Sequence, residues 1–255
     1  MRSIRVFDSS LLDPQLDGAD AQFEHKWSKE TNQYHHLTRV LRVQPGQMVN
    51  VFNGYGWQRP GKVLEVDKKS LTICLDAAIW DQPPELVIEL IIGISKAERM
   101  DYAIQKATEL GVSRILPMYT EFSERAFKTE RQVKKMLHWQ AIINGACEQC
   151  GQNYRPQICE PTSIEKLAAP STDIKRFICH GSDNSRSLAY WSEEKMSHLQ
   201  FVIGPEGGFS TTDLQILKNL NSDFVRLGPR ILRTETAPVV AISLAQAYWG
   251  DFQAF

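Results

Sequence analysis

No apolar run in this chain reaches the ~20 residues that a membrane-spanning helix needs, and the opening MRSIRVFDSS has no apolar stretch of the kind a secretory leader carries. The expectation is a cytoplasmic protein with no membrane partner. Cysteine is scarce and odd in number, five in all, which fits a reducing compartment. Cys147 and Cys150 form one CxxC, but it falls at the end of a helical pattern just before Gly151, whereas a redox CxxC follows a strand and opens a helix. A zinc site needs partner ligands, and no second CxxC exists. An excess of either charge is also missing: 29 Lys and Arg stand against 30 Asp and Glu, for a net charge of −1. That excludes a generally basic nucleic-acid-coating protein and leaves room for local basic surfaces. We find no internal repeat and no low-complexity segment.

What is present is a globular composition, 42% hydrophobic and 23% charged over 255 residues, enough for one large or two ordinary domains. Residues 1–78 read as a small β-rich domain. Strand-length apolar or alternating runs occupy 5–7, 48–52, 61–66 and 71–75, and Asn53-Gly54 is a hairpin turn signal. A short helical pattern at 34–41 places Leu37, Val40 and Leu41 on one face. Its other face and approach carry Lys26, Lys29, His35, His36, Arg39 and Arg42, opposed between residues 25 and 42 only by Glu30. This is a solvated helix face or a surface that contacts phosphates. Arg39 and Arg42, three apart, are expected to face the same way. Residues 79–84, IWDQPP, read as a linker.

From residue 85 the pattern changes. Residues 86–94 form a nearly continuous apolar run, as in a strand buried on both faces of a parallel sheet. Ser95-x-x-Glu98 reads as a capping box opening a helix that buries Met100, Ala103, Ile104, Ala107 and Leu110 and stops at Gly111. A strand at 113–118, a polar loop at 120–128 and a long helix opened by Thr129 and Gln132 and closed by Gly151 come next. A strand at 174–179 then ends at His180-Gly181, with His180 read as a strand-end residue. The region is α/β. Its centre of interest lies at 199–249, where two apolar strands, 199–203 and 224–227, each break into a glycine-bearing loop. The first loop, GPEGG, has Gly207 and Gly208 for positive φ or close approach, and Ser210, Thr211 and Asp213 to cap the next helix. It is not a Walker A loop, since no Gly-Lys-Ser/Thr follows. The second loop, GPRILRTET, carries Arg230, Arg233 and Glu235 into a helix at 239–248 that is apolar almost all round and must be covered on several sides. Two such exits suggest one ligand site at the carboxyl ends of neighbouring parallel strands.

Three segments, KAERMDYAIQKATELGV, IGPEGGFS and LGPRILRTETA, resemble in this order the signature segments of the SPOUT-superfamily RNA methyltransferases. More narrowly they resemble the family that methylates N3 of a uridine in bacterial 16S ribosomal RNA, and HHLTRVLRVQPGQ is similar to the PUA-like barrel of the same family. The resemblance implies a PUA-like RNA-binding β-barrel over 1–78 and a trefoil-knotted α/β methyltransferase domain over 85–255. It also implies a homodimer, S-adenosyl-L-methionine as cofactor, and 16S rRNA of the small ribosomal subunit as partner. Carried over residue by residue, Ile203, Gly204, Glu206, Gly208, Leu227, Gly228 and Leu232 would hold the cofactor; the PUA-like resemblance favours the phosphate-contacting reading of the basic surface, with Lys26, Lys29, Arg39 and Arg42 expected to touch RNA. Arg233 would stabilise a developing uracil anion. Glu206 or Glu235 would act as base, cap a helix or orient the cofactor. The family pattern has a basic residue after ACEQCG; Gln152 stands there, with Tyr154-Arg155 as the candidate replacement. Other readings are a SPOUT enzyme acting on tRNA or ribose 2′-OH, an ATP-binding enzyme using GPEGG as a phosphate loop, and a non-catalytic RNA-binding module.

Overall fold

In the computed structural model, residues 4–10, 22–123, 129–182 and 185–253 are described. They divide into two compact units: residues 1–83 with 147–155, and residues 84–146 with 156–255. The expected boundaries of 1–78 and 85–255 therefore change in two places. Part of IWDQPP is not linker, because strand β6 (Ile79–Trp80) pairs with β4 (Trp57–Val66). Residues 147–155, the end of a long helix and the turn after it, join the first unit although the 63 residues 84–146 of the second separate them from Pro83.

The first unit is built on one mixed sheet ordered β1 (Ile4–Phe7), β3 (Met48–Phe52), β4, β5 (Ser70–Leu75), β2 (Phe23–Ser28). β1 runs parallel to β3; the other ladders are antiparallel. Val6 and Trp27, from the two edge strands, share one core with Val49, Val51, Val63 and Ile73, so the sheet curls round on itself. The Trp27 indole N–H donates to Asp8 Oδ2 at 2.6 Å, joining the edges by side chains. The sequence reading passed over β2, although Phe23, His25 and Trp27 alternate with exposed Glu24, Lys26 and Ser28 at period two.

The helix expected at 34–41 also differs. A single α-turn, α1 (Asn32–His35), runs into a π-helical turn at His36–Val40, in which the Leu41 N–H bonds to His36 O. The wider turn keeps Leu37 in the core and rotates Val40 (68% exposed) and Leu41 (39%) out of it. Arg42 lies beyond the helix with φ of 52°, so it and Arg39 do not share a helical face. Tyr154 and Arg155 are engaged within this unit. The Tyr154 hydroxyl donates to Asp81 O, and the Arg155 guanidinium lies 5.2 Å from the Phe7 ring centroid. Neither is a free substitute for the basic residue that Gln152 replaces.

The second unit is an eight-stranded, all-parallel sheet, as its apolar strands require. Its order is β10 (Thr162–Ser163), β8 (Arg114–Tyr119), β7 (Val87–Gly93), β13 (His198–Ile203), β11 (Lys175–Cys179), β14 (Asp223–Arg226), β12 (Arg186–Ser187), with β9 (Gln157–Ile158) on β8. β13 therefore sits between two strands that precede it in the chain. Helix α2 (Ala97–Glu109) buries Met100, Ala103, Ile104 and Ala107, and Gly111 ends it at φ of 82°, whereas Leu110 is only half-buried. Its expected capping box is not formed: the N-cap is Lys96, and the Ser95 hydroxyl donates to Gly93 O. Helix α3 (Thr129–Cys150) buries Trp139 and Ile143 and ends at Gly151, φ 91°. The side chain of Thr129 and residues 124–128 lie outside the described residues, as does the first of the two capping groups expected there. Helix α4 (Thr211–Lys218) is opened by a reciprocal cap of Ser210 and Asp213, two of the three expected capping residues, while Thr211 is its first helical residue. Helix α5 (Thr236–Trp249) packs against α2 and β13.

A polar ladder crosses the sheet near the amino ends of the strands. Buried Glu89 on β7 accepts from Gln200 Nε2 of β13 at 3.1 Å and lies 2.8 Å from His198 Nε2 and 3.3 Å from Arg114 NH1 of β8. Gln200 in turn accepts from Arg176 Nε of β11 at 2.8 Å. A one-residue slip of any strand would leave a buried charge unpaired. Glu89→Ala is expected to destabilise the protein by roughly 3 kcal/mol, the scale for removing one partner of a buried network. Urea denaturation that moves by less than about a third of that would show that the ladder contributes little to the fold.

Candidate functional site

The carboxyl ends of β13, β11 and β14 open into one cavity of about 820 Å³ within the second unit. The sequence reading took β13 and β14 as neighbours. The sheet puts β11 between them, because β14 pairs with β11 and not with β13. The cavity thus has a third wall, Cys179, His180, Gly181, Ser182 and Ser185, that the two-loop reading missed.

Each loop bends for a physical reason. After β13 the chain turns at Pro205 against Gly93, where a Cβ would come within 2.5 Å of the proline ring. Gly208 takes φ of 71° and donates its N–H to Pro205 O at 2.9 Å. Gly207 is not in the left-handed region; its part is close approach, since a Cβ there would meet Phe122 at 2.7 Å. Gly228 has φ of 115°, which side chains rarely adopt.

All seven residues expected to hold the cofactor, Ile203, Gly204, Glu206, Gly208, Leu227, Gly228 and Leu232, line this single cavity. Ile203, Leu227, Leu232 and Phe209 give it apolar surface, and buried Thr234 adds a hydroxyl. Arg233 is on the lining with its side chain 77% exposed; Glu235 is covered and is not part of the lining. The four basic residues expected to touch RNA, Lys26, Lys29, Arg39 and Arg42, are exposed in the first unit; Lys29 lies 4.0 Å from Glu30.

The electrostatics centre on two carboxylates. Glu206 Oε1 accepts the Lys96 N–H, at the start of α2, at 3.1 Å and lies 3.5 Å from Arg99 NH1. Partial burial alone would push its pKa up, but backbone N–H donors, the Ser95 hydroxyl and Arg99 outweigh that and hold it below the usual carboxylate value. Glu206 is therefore an ionised helix cap with little capacity to take a proton at neutral pH. Glu235 lies 3.9 Å from Arg99 on one oxygen and 3.9 Å from Arg233 on the other. Arg99 went unnoticed in the sequence. The signal was there: a cation in the first turn of a helix opposes the helix dipole unless carboxylates reach it from elsewhere.

Burial holds two titratable groups of the third wall toward their neutral forms. Burial pushes the Cys179 thiol up to about 12, so it is not a nucleophile at neutral pH. Burial lowers the His180 imidazole from its ordinary 6.5, and its ring meets Phe209 and Phe224 edge-on. Unfolded His180 takes up its proton first as pH falls, so protonation favours the unfolded chain and stability drops as pH goes below about 6.5. An NMR titration is expected to give His180 a midpoint below 6.5; one at or above that value contradicts the burial argument.

Comparison with known proteins adds the following. The family profile described as "RNA methyltransferase domain" matches residues 82–246, and one described as "RNA methyltransferase PUA domain" matches residues 30–74. The Buchnera aphidicola (subspecies Schizaphis graminum) protein named "Ribosomal RNA small subunit methyltransferase E" is 33% identical over 85% of this chain and 88% of its own length. A Legionella pneumophila methyltransferase solved with bound S-adenosylmethionine superposes with a TM-score of 0.88 at 31% identity, covering 98% of this chain and all of that one. The Neisseria gonorrhoeae ribosomal RNA small subunit methyltransferase E, solved with S-adenosylmethionine, gives 0.83 at 30% identity over 98% of this chain and 99% of that one. Among the described residues, no helix is long and apolar enough to cross a membrane.

Proposed function

Since the chain belongs to the RNA methyltransferase family, with a PUA domain before the methyltransferase domain, we propose that it is an S-adenosylmethionine-dependent methyltransferase of small-subunit ribosomal RNA that acts on N3 of a uridine. The observation that carries the reading is the convergence of all seven expected cofactor residues on one cavity, in a chain that superposes at 0.88 on a relative holding that cofactor.

The residues present fit the cofactor. A cavity of about 820 Å³ is of small-molecule size. Its apolar wall of Ile203, Leu227 and Leu232 suits a purine, and the ionised Glu206 suits the cationic methionine end. When bound, S-adenosylmethionine would supply an electrophilic methyl group on a sulfonium whose sulfur can keep the C–S electron pair as a neutral thioether. The protein has the remaining tasks. Uracil N3 carries a proton, so its lone pair becomes available only as that proton leaves to solvent or a base. Arg233, exposed at the cavity lip, stabilises the developing uracil anion through a carbonyl oxygen. Glu206 and Glu235, already engaged with Arg99, orient the two loops rather than accept the proton. N3 is also a pairing edge, so the target base enters unpaired or flipped.

Lys26, Lys29, Arg39 and Arg42 form the basic surface of the first unit and contact RNA phosphates in this scheme. The half-exposed apolar positions of α5, Val239, Val240, Leu244 and Tyr248, support a homodimer. The placement of β13 between two earlier strands supports the knotted path that the family resemblance implies. The proposed site of action is the cytoplasm, where ribosomal subunits are.

The test is nucleoside analysis of small-subunit RNA and of tRNA, each incubated with the protein and labelled S-adenosylmethionine. Label in 3-methyluridine of the small-subunit RNA is expected; label in the tRNA or in a 2′-O-methyl nucleoside would overturn the assignment. Arg233→Ala is expected to lower turnover by roughly 10²–10³ while cofactor affinity holds within a few-fold. Replacing both Arg39 and Arg42 with alanine is expected to weaken RNA binding and reduce its salt dependence by about one or two counterions. Unchanged RNA affinity at two salt concentrations would remove the first unit as the anchor.

A further inference from the structure

Charged groups along one side of the cavity, with Arg99, Glu206 and Arg233 on its lining and Glu235 beneath, form a chain that neither the capping of α2 nor the chemistry at the lip explains alone. From α2 outwards it runs Lys96 N–H, Glu206, Arg99, Glu235, Arg233. Lys96 and Arg99 belong to the N-terminal turn of α2, Glu206 to the loop after β13, and Glu235 and Arg233 to the loop that leads into α5. Arg99 is the one member that touches both loops. Its NH1 lies 3.5 Å from Glu206, while its Nε lies 3.9 Å from Glu235 Oε2, a buried oxygen with no hydrogen bond in the structure.

We propose that Arg99 is a positioning residue that ties the two cavity loops to each other and thereby sets where Arg233 stands. The guanidinium suits this because different edges of one rigid plane can meet two carboxylates at once. An ammonium is a single point of charge and would have to choose between them. The balance of charge points the same way. Glu206 on the cavity lining and Glu235 beneath it would repel each other, and Arg99 between them cancels that repulsion while Arg233 offsets the remaining negative charge. Arg99 sits at the positive end of the α2 dipole, so its position is unfavourable except for those two carboxylates. Its own contribution is to geometry, and the group that meets the uracil is Arg233.

The test uses Arg99→Lys, Arg99→Gln, Glu235→Gln and the Arg99→Gln/Glu235→Gln double variant in the full chain, with two readouts. The first is amide hydrogen exchange in the segment 227–236, which does not depend on methyl transfer. Both Arg99 variants are expected to exchange at least about tenfold faster there, with the strands of the sheet unchanged, and the double variant to be no faster than Arg99→Gln. The second, which rests on the methyl-transfer reading, is single-turnover methylation of small-subunit RNA. Turnover is expected to fall about tenfold or more in Arg99→Lys with a smaller change in S-adenosylmethionine affinity. If segment 227–236 exchanges in Arg99→Lys and Arg99→Gln as in the unaltered protein, the proposal is overturned. It is equally overturned if the effects of Arg99→Gln and Glu235→Gln multiply. An unaltered protein that fails to methylate sinks the functional reading, and the exchange readout still decides the role of Arg99. Should Arg99→Gln fail to fold, Arg99→Lys keeps the charge and carries the same comparison.

Discussion

β13 is hydrogen-bonded along one edge to β7, from His198 against Val87 to Ile203 against Ile92, and along the other edge to β11. Leu199, Phe201, Val202 and Ile203 are all at most 3% exposed. A strand paired on both edges and covered on both faces has one place to meet solvent or a ligand, its carboxyl end. The chain leaves β13 there as GPEGG, turns back past Gly93, and carries Glu206 to the start of α2. The flanking strands bring their own exits alongside. The cavity is thus a consequence of where β13 is inserted, and the Glu89 ladder at the opposite end fixes the register that keeps the exits level.

Charge placement in this unit separates two tasks. At the amino ends of the strands, Glu89, Gln200, Arg176 and Arg114 satisfy one another across four strands, which suits a part of the molecule that does not move. At the carboxyl ends, Glu206, Arg99, Glu235 and Arg233 lie at 3.5–3.9 Å, within ion-pair range and beyond good hydrogen bonds. Loops that must admit a cofactor and, on the reading proposed above, a nucleobase belong to the looser kind of contact.

The first unit solves a different problem. A small curled sheet has two edges to protect, and here Asp8 and Trp27 join them through one buried hydrogen bond. Asn153, contributed by the segment after α3, accepts from Arg5 and donates to Asp81, so the unit depends on chain that lies far from it in sequence. The basic residues Lys26, Lys29, Arg39 and Arg42 sit on the exposed face of β2, the turn after it, the helical turn and the loop beyond, and none of their side chains packs the core.

Local chemistry was legible in the sequence wherever the signal was local. The apolar run at β7, the Ser210–Asp213 cap, Gly111 and Gly151 as helix stops, and the two glycine-bearing loops all act within a few residues, where periodicity and backbone freedom are decisive. The seven positions expected to hold the cofactor came from the resemblance to a family, and the structure gathers them in one cavity. Tertiary structure decided the rest, because each remaining feature joins residues remote in sequence. The α2 N-terminus is capped by Glu206, 110 residues from Lys96, and not by the Ser95 box beside it. β11 separates two strands that sequence order alone would make neighbours. Val40 and Leu41 leave the core because the helix widens to a π-turn, and residues 147–155 belong to a unit that begins at the other end of the chain. Period and propensity report what a segment prefers; partner choice depends on loop closure and on which buried charges must meet, and neither is written in any single stretch.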